Sequence, residues 1–411
     1  MSNNMKFDSN EVAVFTVCNL AYLPRALVLA ESLKLHKSGR LKIVVFDKKI
    51  ELPPVTNIAE ILWVEELGVP NFYELAFMYD IIEFSTSLKP FIALKLLETY
   101  KAIVFMDPDT CLFDSLSPIV TELQEYPIIL TPHYTTPQPS HPSESDLAMM
   151  RFGSFNLGFF AVNNSMEAKA FLAWWSERCI EYSFMESQFG LSTDQKWVTI
   201  APCLFQGIHI SFNLGYNVAP WNTYERKISK MATGQFLIND KFPLIFFHFS
   251  NFKNDDPEYL NKRASCELGE RKPALLELGV LYNSALEQMT SKVGLPKYSY
   301  DFMSDGKYIS PTLRRAYAAV RAELPQGHDP FDSEGAVGRF ARKNFLLEKK
   351  GGNKYVAEGV KDAENNRVAL AIIYFFMGLI LRVVGPNRFF NLSRLLVYLS
   401  IYRKNRLLWK L

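Results

Sequence analysis

Short apolar runs alternate with helical patterns over the first hundred residues, and this alternation constrains the fold more than any other feature of the chain. Four runs rich in β-branched and large apolar residues predict buried strands: Val12–Val17, Leu41–Phe46, Ile58–Val64 and Lys101–Met106. The segments between them carry helix signals, such as Pro24 in the first turn of a predicted helix Arg25–His36. This rhythm favours a mostly parallel sheet with helices on both faces, and so predicts an α/β, Rossmann-like fold.

Beyond this region the patterns become mixed and then mainly helical. Helices are predicted at Asn71–Phe84, at Ser87–Tyr100 with Ser87 as N-cap and Pro90 in the first turn, and at Ser165–Tyr182, Ala274–Met289 and Thr312–Leu324. Strands are predicted at Leu157–Val162 and Leu244–Phe249, and the Pro- and Ser-rich stretch Thr131–Ser145 predicts a mobile loop. We therefore expect an α/β domain over residues 1–258, a helical extension over 259–366 and a basic amphipathic tail over 367–411.

The tail differs in charge from the rest of the chain. Eight basic residues lie between Arg367 and the last residue, and no Asp or Glu follows Glu364. The other 37 of the 45 Lys and Arg face 43 Asp and Glu, so the formal charge of +2 hides an acidic body and a basic tail. Such segregation predicts an anionic partner for the tail.

The apolar segment Val368–Leu381 indicates what that partner is. It is shorter than the roughly 17–25 residues of a spanning helix. With a second segment, Phe389–Tyr402, and interspersed Arg and Lys, it favours a helix lying on an anionic membrane surface. The alternative is an ordinary C-terminal helix pair that packs on the body. Nucleic acid is not expected, because the tail is apolar and has no known nucleic-acid-binding motif.

Composition indicates a globular chain in a reducing compartment. Apolar residues make up 48% of the 411 residues, which excludes a disordered protein. The five Cys are scattered and form no Cys-x-x-Cys pair, so they predict reduced thiols without zinc. The N-terminal residues contain no apolar segment typical of a secretory signal. We expect a cytoplasmic body, held peripherally at the inner membrane by its tail.

Two carboxylates follow the strand Lys101–Met106, in the tetrapeptide Asp107-Pro108-Asp109-Thr110. Open α/β sheets bind ligands at the carboxyl ends of their strands. Two carboxylates there can hold a divalent cation, and such a cation can hold a diphosphate. The alternative is a plain surface turn, since Asp and Pro are also common turn residues.

Four other segments place polar residues beside apolar runs: Thr86–Pro90 with Lys89, Phe155–Asn163 with Asn156, Asp194–Trp197 with Gln195, and Phe246–Lys253 with His248. Each also has a structural interpretation. Asp194 could be a helix N-cap, His248 a hydrogen-bonded core residue, and Lys89 a solvated residue at a helix N-terminus. Asn156 could satisfy a turn, and Trp221 could be a core residue or the wall of an acceptor cleft.

In this order the segments resemble the nucleotide-sugar glycosyltransferases of the GT-A fold. The nearest match is the retaining family, family 8, that includes glycogenin and the bacterial lipopolysaccharide galactosyltransferases. A bacterial group of uncharacterised glycosyltransferases is closer still, and shares the blocks Phe84–Pro90, Met106–Asp109, Asn156–Phe159, Asp194-Gln195, Asn217–Asn222 and Phe246–Ser250. The resemblance covers roughly residues 12–255. The chain departs from the family motif His-x-x-Gly-x-x-Lys, because Asn251 replaces the Gly and the nearest Lys is Lys253.

The resemblance implies a role for each site residue. Asp107, Asp109 and His248 would bind a divalent metal, Mn²⁺ rather than Mg²⁺ given the mixed oxygen and imidazole ligands. Asp194 and Gln195 would face the anomeric carbon as the catalytic pair. Donor-binding residues would be Thr16, Asn19, Tyr22, Asp47, Lys89, Asn156 and Ser250.

It also implies the reaction. The enzyme would move a sugar, with retention, from a nucleotide-diphosphate donor to a hydroxyl acceptor such as a bacterial surface glycan or a lipid-linked oligosaccharide. Two alternatives remain open. A nucleotidyltransferase would need a Gly-rich phosphate loop after the first strand, and Val17–Pro24 contains no Gly. A non-catalytic, membrane-bound glycan-binding protein would have no need of the acidic pair or of His248.

Overall fold

The computed structural model describes residues 7–53, 57–137, 145–256, 258–294, 296–347 and 367–411. The chain divides into two compact units. The first runs to Phe72 and continues over Ile81–Ser299, and the second comprises Tyr73–Asp80 and Tyr300–Leu411. The three-part division expected from the sequence stays a prediction.

A seven-stranded mixed sheet forms the centre of the first unit, which confirms the α/β class. Its strands are β1 Val12–Cys18, β2 Leu41–Val45, β3 Ala59–Trp63, β4 Ala102–Met106, β6 Ile128–Pro132, β7 Phe155–Asn163 and β10 Ile208–Ile210. They lie in the order β10-β6-β7-β4-β1-β2-β3. Strand β7 pairs antiparallel with β4 and β6, and the other neighbours pair parallel. The sequence predicted β1 to β4 within two residues at each end.

Alternate residues of the central strands face two different cores. Val104 and Met106 of β4 belong to a large apolar cluster that includes residues of helices α1 (Leu23–Leu35) and α9 (Lys272–Val293). Phe105 points to the other face, where its ring stacks on Phe160 at 5.1 Å. Burial on both faces explains why these strands are apolar throughout rather than alternating.

The remaining elements of the first unit surround this sheet. Its other helices are α3 Ile81–Leu96, α4 Ser117–Glu125, α5 Ser145–Phe152, α6 Met166–Tyr182, α7 Gln195–Val198 and α8 Tyr259–Arg263. Its minor strands are β5 Thr110–Leu112, β8 Met185–Glu186, β9 Leu191–Ser192, β11 Ile228–Lys230, β12 Phe236–Ile238, β13 Phe242–Pro243 and β14 Phe246–His248. Residues 138–144 of the predicted mobile loop lie outside the described residues, and the part before them is the strand β6 and an irregular segment.

One predicted helix start is wrong. Helix α3 begins at Ile81 rather than at Ser87, so Pro90 lies inside it. Ser87 does not cap the helix, because its Oγ donates to Phe84 O one turn back, at 2.8 Å. Lys89 therefore lies in the middle of a buried helix and not at an N-terminus.

Two short strands outside the main sheet determine where the chain returns to the acidic tetrapeptide. Strand β14 pairs antiparallel with β5, with His248 opposite Thr110. The apolar run Leu244–Phe249 was expected to form a strand, and its centre does so in this small sheet. The pairing brings a distant part of the chain to the residues that follow β4.

The second unit is helical. It contains most of α2 (Phe72–Met78), α10 Pro311–Val320, α11 Ala336–Lys343, α12 Arg367–Val384 and α13 Pro386–Leu399. Arg314 is buried in it and donates to the carbonyl oxygens of Ala76, Phe77 and Tyr79 at 2.6–3.0 Å. Within the described ranges, we find no helix whose length and apolar character would suffice to cross a membrane.

Candidate metal centre

The acidic tetrapeptide forms a turn that holds both carboxylates at the end of β4. Asp107 N donates to Gly158 O at 2.8 Å, and Thr110 N and Oγ1 donate back to Asp107 O at 3.1 and 2.8 Å. The side chains of Asp107 and Asp109 are only 26% and 13% exposed. The turn interpretation and the ligand interpretation are therefore compatible, because the turn aims the carboxylates at one point.

His248 reaches that point from β14. Its Nε2 lies 3.2 Å from Asp109 Oδ1 and 3.9 Å from Asp107 Oδ2. The three candidate ligand atoms lie within 4.8 Å of one another. The structure thus brings together the three residues that the sequence predicted as metal ligands.

A chain of hydrogen bonds fixes which nitrogen of His248 faces the carboxylates. Gly158 N donates to Asn156 Oδ1 at 2.9 Å, and this oxygen also accepts from Asn217 Nδ2 at 3.2 Å. Since Nδ2 of Asn217 is turned toward Asn156, its Oδ1 faces His248 Nδ1 at 3.3 Å. Nδ1 must then carry the hydrogen, and Nε2 presents its lone pair to the acidic pair. Metal-binding His residues are commonly oriented in this way by a second hydrogen bond.

The donor set fits a divalent cation. A neutral imidazole whose lone pair faces two carboxylates is electrostatically unfavourable unless a proton or a metal lies between them. Burial opposes a charge on His248, but Asp109 and Asp107 outweigh it and raise its pKa. Burial likewise opposes a charge on Asp109, and His248 lowers its pKa nevertheless. The site therefore attracts positive charge, and two carboxylates with one imidazole can serve as ligands of a divalent cation.

Lys89 connects the acidic pair to Asp194. Its Nζ lies 3.1 Å from Asp107 Oδ1 and 3.3 Å from Asp194 Oδ2, and it donates to Leu157 O at 2.9 Å. Burial disfavours a charged ammonium here, but the two carboxylates outweigh it and raise the pKa of Lys89. Lys89 is thus a buried cation held between two acids, which excludes the solvated interpretation.

Asp194 is buried and does not cap a helix. It precedes the four-residue helix α7, but its side chain makes no cap hydrogen bond and accepts instead from Thr193 Oγ1 at 3.0 Å. Its Oδ2 is buried without a well-aligned hydrogen bond, although Lys89 lies near. Burial raises the pKa of Asp194 despite the charge of Lys89. A carboxylate oxygen held in this state can accept from a bound hydroxyl group.

The other predicted residues either contact backbone groups or keep a polar group without a side-chain partner. Gln195 is half-buried and donates to Phe152 O at 3.2 Å, away from the acidic pair. Asn19 Oδ1 accepts from Tyr22 N, and the two oxygens of Asp47 accept from Leu20 N and Ser299 N, so both residues hold backbone. Three further residues keep a polar group with no described side-chain partner: the orphaned Oγ1 of buried Thr16, the half-buried hydroxyl of Ser250 and Nδ2 of Asn156.

Sequence reasoning missed the roles of Asn217, which shapes the site, and of Glu225, which holds the loop after β6. Asn217, in the block Asn217–Asn222, adopts a positive φ of 50° and orients His248. The residue type was the available signal in the sequence, because Asn tolerates a positive φ better than most residues. Glu225 accepts from the backbone N–H and hydroxyl groups of Thr135 and Thr136 at 2.8–3.0 Å. No local pattern predicts that long-range contact.

Comparison with known sequences gives two related but uncharacterised proteins of Bacillus subtilis (strain 168). YfnD is 34% identical over 149 residues, which are 36% of this chain and 45% of YfnD. YfnF is 24% identical over 177 residues, which are 42% of this chain and 58% of YfnF. The chain thus spans about half the length of the relatives it matches. No family model matches it.

Comparison with solved structures gives several glycosyltransferases. Galactosyltransferase LgtC, in complex with donor and acceptor sugar analogues, is 16% identical with a TM-score of 0.42, over 68% of this chain and 100% of LgtC. GlyE of Streptococcus pneumoniae TIGR4 is 16% identical with a TM-score of 0.36, over 71% of this chain and 66% of GlyE. Mouse xyloside xylosyltransferase 1 is 13% identical with a TM-score of 0.38, over 58% of this chain and 98% of that one. Values this low do not assign the chain to a family, so its function rests on its own residues.

Proposed function

We propose that this protein is a metal-dependent GT-A glycosyltransferase that moves a sugar from a nucleotide-diphosphate donor to a hydroxyl acceptor. One observation carries the proposal. Asp107, Asp109 and His248 converge at the carboxyl end of a central strand, and Asn217 orients the imidazole so that its lone pair faces both acids. Ligand sites of open α/β sheets lie at this edge. The ordered sequence blocks that resemble family 8 supply the substrate class.

Asp107, Asp109 and His248 would hold the ion, Mn²⁺ in preference to Mg²⁺. When bound, a divalent ion supplies Lewis acidity that neutralises charge on a departing diphosphate. The protein itself contributes positioning. Lys89 holds the carboxylates of Asp107 and Asp194 on either side of its ammonium group, and so fixes Asp194 relative to the metal ligands.

We assign the donor sugar to the space beside Asp194. Its buried Oδ2 lacks a well-aligned donor, and a sugar hydroxyl would provide one. Asn156 Nδ2 and Lys89 would complete the polar contacts there. Gln195 would stand beside the anomeric carbon after a change from its present bond to Phe152 O. Retention of configuration follows from the resemblance to family 8. Thr16, Asn19, Tyr22, Asp47 and Ser250 would bind the nucleotide part of the donor.

The acceptor side of the proposal involves the C-terminal helices. We propose that the acceptor is a bacterial surface glycan or lipid-linked oligosaccharide, and that α12 and α13 hold the enzyme peripherally on the cytoplasmic face of the inner membrane. Helix α12 exposes apolar side chains all round, including Phe375 and Val383 at 69% and 77% exposure. A helix that is apolar on every side is normally covered by protein or lipid. Three exposed Arg of this helix pair, Arg382, Arg388 and Arg394, suit an anionic lipid surface.

The proposal is tested by binding and turnover of a panel of nucleotide-sugars with and without Mn²⁺. We expect one donor to bind only with the metal, and Asp109→Ala and His248→Ala to abolish both metal binding and donor consumption. Asp305→Ala and His328→Ala, in the second unit, serve as matched controls that leave binding and turnover unchanged. If both site variants bound metal and consumed donor as the wild type does, the metal centre would have no part in the reaction.

The same assay separates the alternatives. A nucleotidyltransferase would release pyrophosphate from a nucleoside triphosphate and a sugar phosphate, whereas a glycosyltransferase releases a nucleoside diphosphate from the sugar nucleotide. A non-catalytic glycan-binding protein would bind oligosaccharide without consuming any donor. The segment after β1 folds into a short 3₁₀ helix capped by Asn19 rather than a Gly-rich phosphate loop, which disfavours the nucleotidyltransferase.

A further inference from the structure

Arg25, near the start of helix α1, is a cation without an acidic partner in the described part of the chain. Its Nη2 donates to Phe252 O at 3.3 Å, in the turn that directly follows β14. Its guanidinium lies 4.7 Å from the centre of the Tyr22 ring. Phe252 N donates to Phe249 O at 3.0 Å, and Phe249 N donates to Asp109 O at 2.8 Å, so this turn links Arg25 to the acidic pair. Among the described residues, no carboxylate lies within ion-pair distance of Arg25. Burial acts to raise the pKa of Asp109, but His248 and, more weakly, Arg25 lower it.

Tyr282 lies in the same environment and comes from a different element. Its ring stacks on Phe249 at 3.8 Å and is nearly parallel to it. Its hydroxyl is buried and has no hydrogen-bond partner in the described part of the chain. Burial raises the pKa of Tyr282, and Asp109 adds to the effect, which places the phenol within the field of the acidic pair. A buried hydroxyl without a partner is rare and indicates a missing ligand or water.

The other cations nearby are already engaged. Lys89 is 6% exposed and bound between Asp107 and Asp194. Lys253 is exposed and lies over the Tyr259 ring, and its charge helps to lower the pKa of Asp256. Arg263 donates to Ser250 O at 2.6 Å. Arg25 likewise donates to one carbonyl, Phe252 O, but of these three cations besides Lys89 it is the one whose charge acts on Asp109. Its remaining N–H groups have no described hydrogen-bond partner.

We propose that Arg25 binds the diphosphate of the donor beside the metal centre, with Tyr282 as a hydroxyl donor and Tyr22 as the ring that supports the guanidinium. This rests on the proposed function, which supplies the diphosphate. A guanidinium presents several N–H groups in a planar fork that matches phosphate oxygens. Near a divalent ion, the Arg25 guanidinium would neutralise part of the negative charge of the departing diphosphate without competing with the metal for its ligands.

The experiment uses inorganic pyrophosphate, which needs no knowledge of the base or sugar. Full-length wild type, Arg25→Ala and Arg25→Lys are titrated by calorimetry, first with Mn²⁺ alone and then with pyrophosphate at saturating Mn²⁺. We expect Arg25→Ala to keep the Mn²⁺ affinity and to lose about tenfold or more in pyrophosphate affinity, since a charge-assisted hydrogen bond is removed. Arg25→Lys should retain part of the affinity.

Two further variants exclude a merely structural effect. Arg25→Gln retains an N–H donor for Phe252 O but no charge, and should bind pyrophosphate as weakly as Arg25→Ala. Tyr282→Phe removes only the orphaned hydroxyl and should weaken pyrophosphate binding by a smaller factor at unchanged thermal stability. Arg178→Ala, an exposed Arg paired with Glu177, is the control that should change nothing.

The outcomes separate this inference from the proposed function. Equal pyrophosphate affinity of wild type and Arg25→Ala, with Mn²⁺ binding intact, would overturn the role of Arg25 and leave the glycosyltransferase proposal standing. A wild type that binds Mn²⁺ but neither pyrophosphate nor any nucleotide-sugar would overturn both.

Discussion

Among single residues, His248 depends most on its neighbours for its chemistry. Asn217 Oδ1 holds its Nδ1 as a donor and thereby leaves Nε2 for a metal. We expect Asn217→Ala to reduce Mn²⁺ affinity about 10–100-fold, as removal of such orienting partners does in other metal sites. Calorimetric titration with Mn²⁺ measures this. Asn213→Ala, in the same segment, removes an amide oxygen that accepts from Gly215 N and should bind Mn²⁺ normally. Equal affinities of the two variants would contradict the proposed orientation.

Position 158 has no room for a side chain, because His248 lies against Gly158. A Cβ at this position would stand 2.7 Å from His248 Nδ1 and 2.8 Å from Asn156 Oδ1, and would overlap with Cε1. Gly158→Ala should displace the imidazole, weaken Mn²⁺ binding and lower the unfolding free energy by about 1–3 kcal/mol, the range typical of overpacking. Mn²⁺ titration and urea unfolding check the two effects. Gly378→Ala, where a Cβ meets open space, is the control.

The metal site should respond to pH because a proton and a metal compete for His248 Nε2. The pKa of His248 is raised in the folded state, so its pairing with Asp109 stabilises the metal-free protein fully below the unfolded pKa of about 6.5. That stability is lost as pH rises through the folded pKa. We therefore expect the increase in Tm caused by Mn²⁺ to be larger at pH 8 than at pH 6. Thermal unfolding in EDTA and in Mn²⁺ measures it, and a pH-independent increase would contradict the competition.

The site residues show what a sequence reveals about a metal centre. Asp107 and Asp109 were predictable because two acids, one residue apart, follow a recognisable strand. His248 was identified by resemblance to a family, since its position opposite Thr110 depends on a pairing between segments far apart in sequence. Asn217 was given no role, because its function lies in the direction of one amide oxygen, which only three-dimensional contacts determine.

At the scale of elements, helix α3 shows where local signals fail. Ser87 and Pro90 are good residues for a helix start, yet the helix begins at Ile81 and contains both. A Pro inside a helix costs about 3 kcal/mol or more. Packing of the buried face of α3 outweighs this cost, and that burial is a property of the assembled fold rather than of the segment. The strands β1 to β4 were predicted well because burial on both faces makes them continuously apolar.

The loop after β6 is held by one buried carboxylate. Glu225 accepts from four donor groups, the backbone N–H and the hydroxyl of both Thr135 and Thr136. It also pairs with Arg226, whose side chain is 1% exposed. Glu225→Ala would leave that Arg buried without its acid and should cost about 3–5 kcal/mol. Urea unfolding measures the loss. Glu177→Ala, which removes the acid of an exposed pair, should cost about 0–1 kcal/mol. Similar losses of unfolding free energy in the two variants would contradict the stabilising role of Glu225.

At the scale of the whole molecule, the C-terminal region combines two behaviours that composition could not separate. The final residues dock within the second unit, where Arg406 Nη2 lies 2.7 Å from Glu323 Oε2 and Trp409 is buried. The helices α12 and α13 before them expose their apolar side chains. The sequence predicted a basic amphipathic tail as one piece. In the structure α12 and α13 carry most of its exposed apolar side chains, and Leu407 and Leu408 of the docked end are exposed as well. Membrane contact stays a prediction for the tail, and α12 and α13 are the part of it that is not docked by these contacts.

The docking of the last residues determines which variant the vesicle experiment uses. Deleting residues 367–411 would also remove the docked end, so a better change is Ile372→Asp with Phe375→Asp on α12, both now exposed. We expect full-length protein to sediment with vesicles of phosphatidylglycerol and phosphatidylethanolamine, and the double variant to remain in the supernatant. The physical reason is that the apolar face of α12 gains by leaving water, and charged side chains on it oppose that transfer.

The basic residues make a separate contribution that a second variant isolates. Replacing Arg382, Arg388 and Arg394 together with Gln keeps the apolar face but removes about 1 kcal/mol of attraction for each charge near an anionic surface. This triple variant should bind vesicles of phosphatidylcholine as wild type does, and should lose the preference for phosphatidylglycerol. Wild-type binding to both kinds of vesicle by the double and the triple variants would show that the helix pair meets another partner, since neither its apolar face nor its charge would then be needed at a membrane.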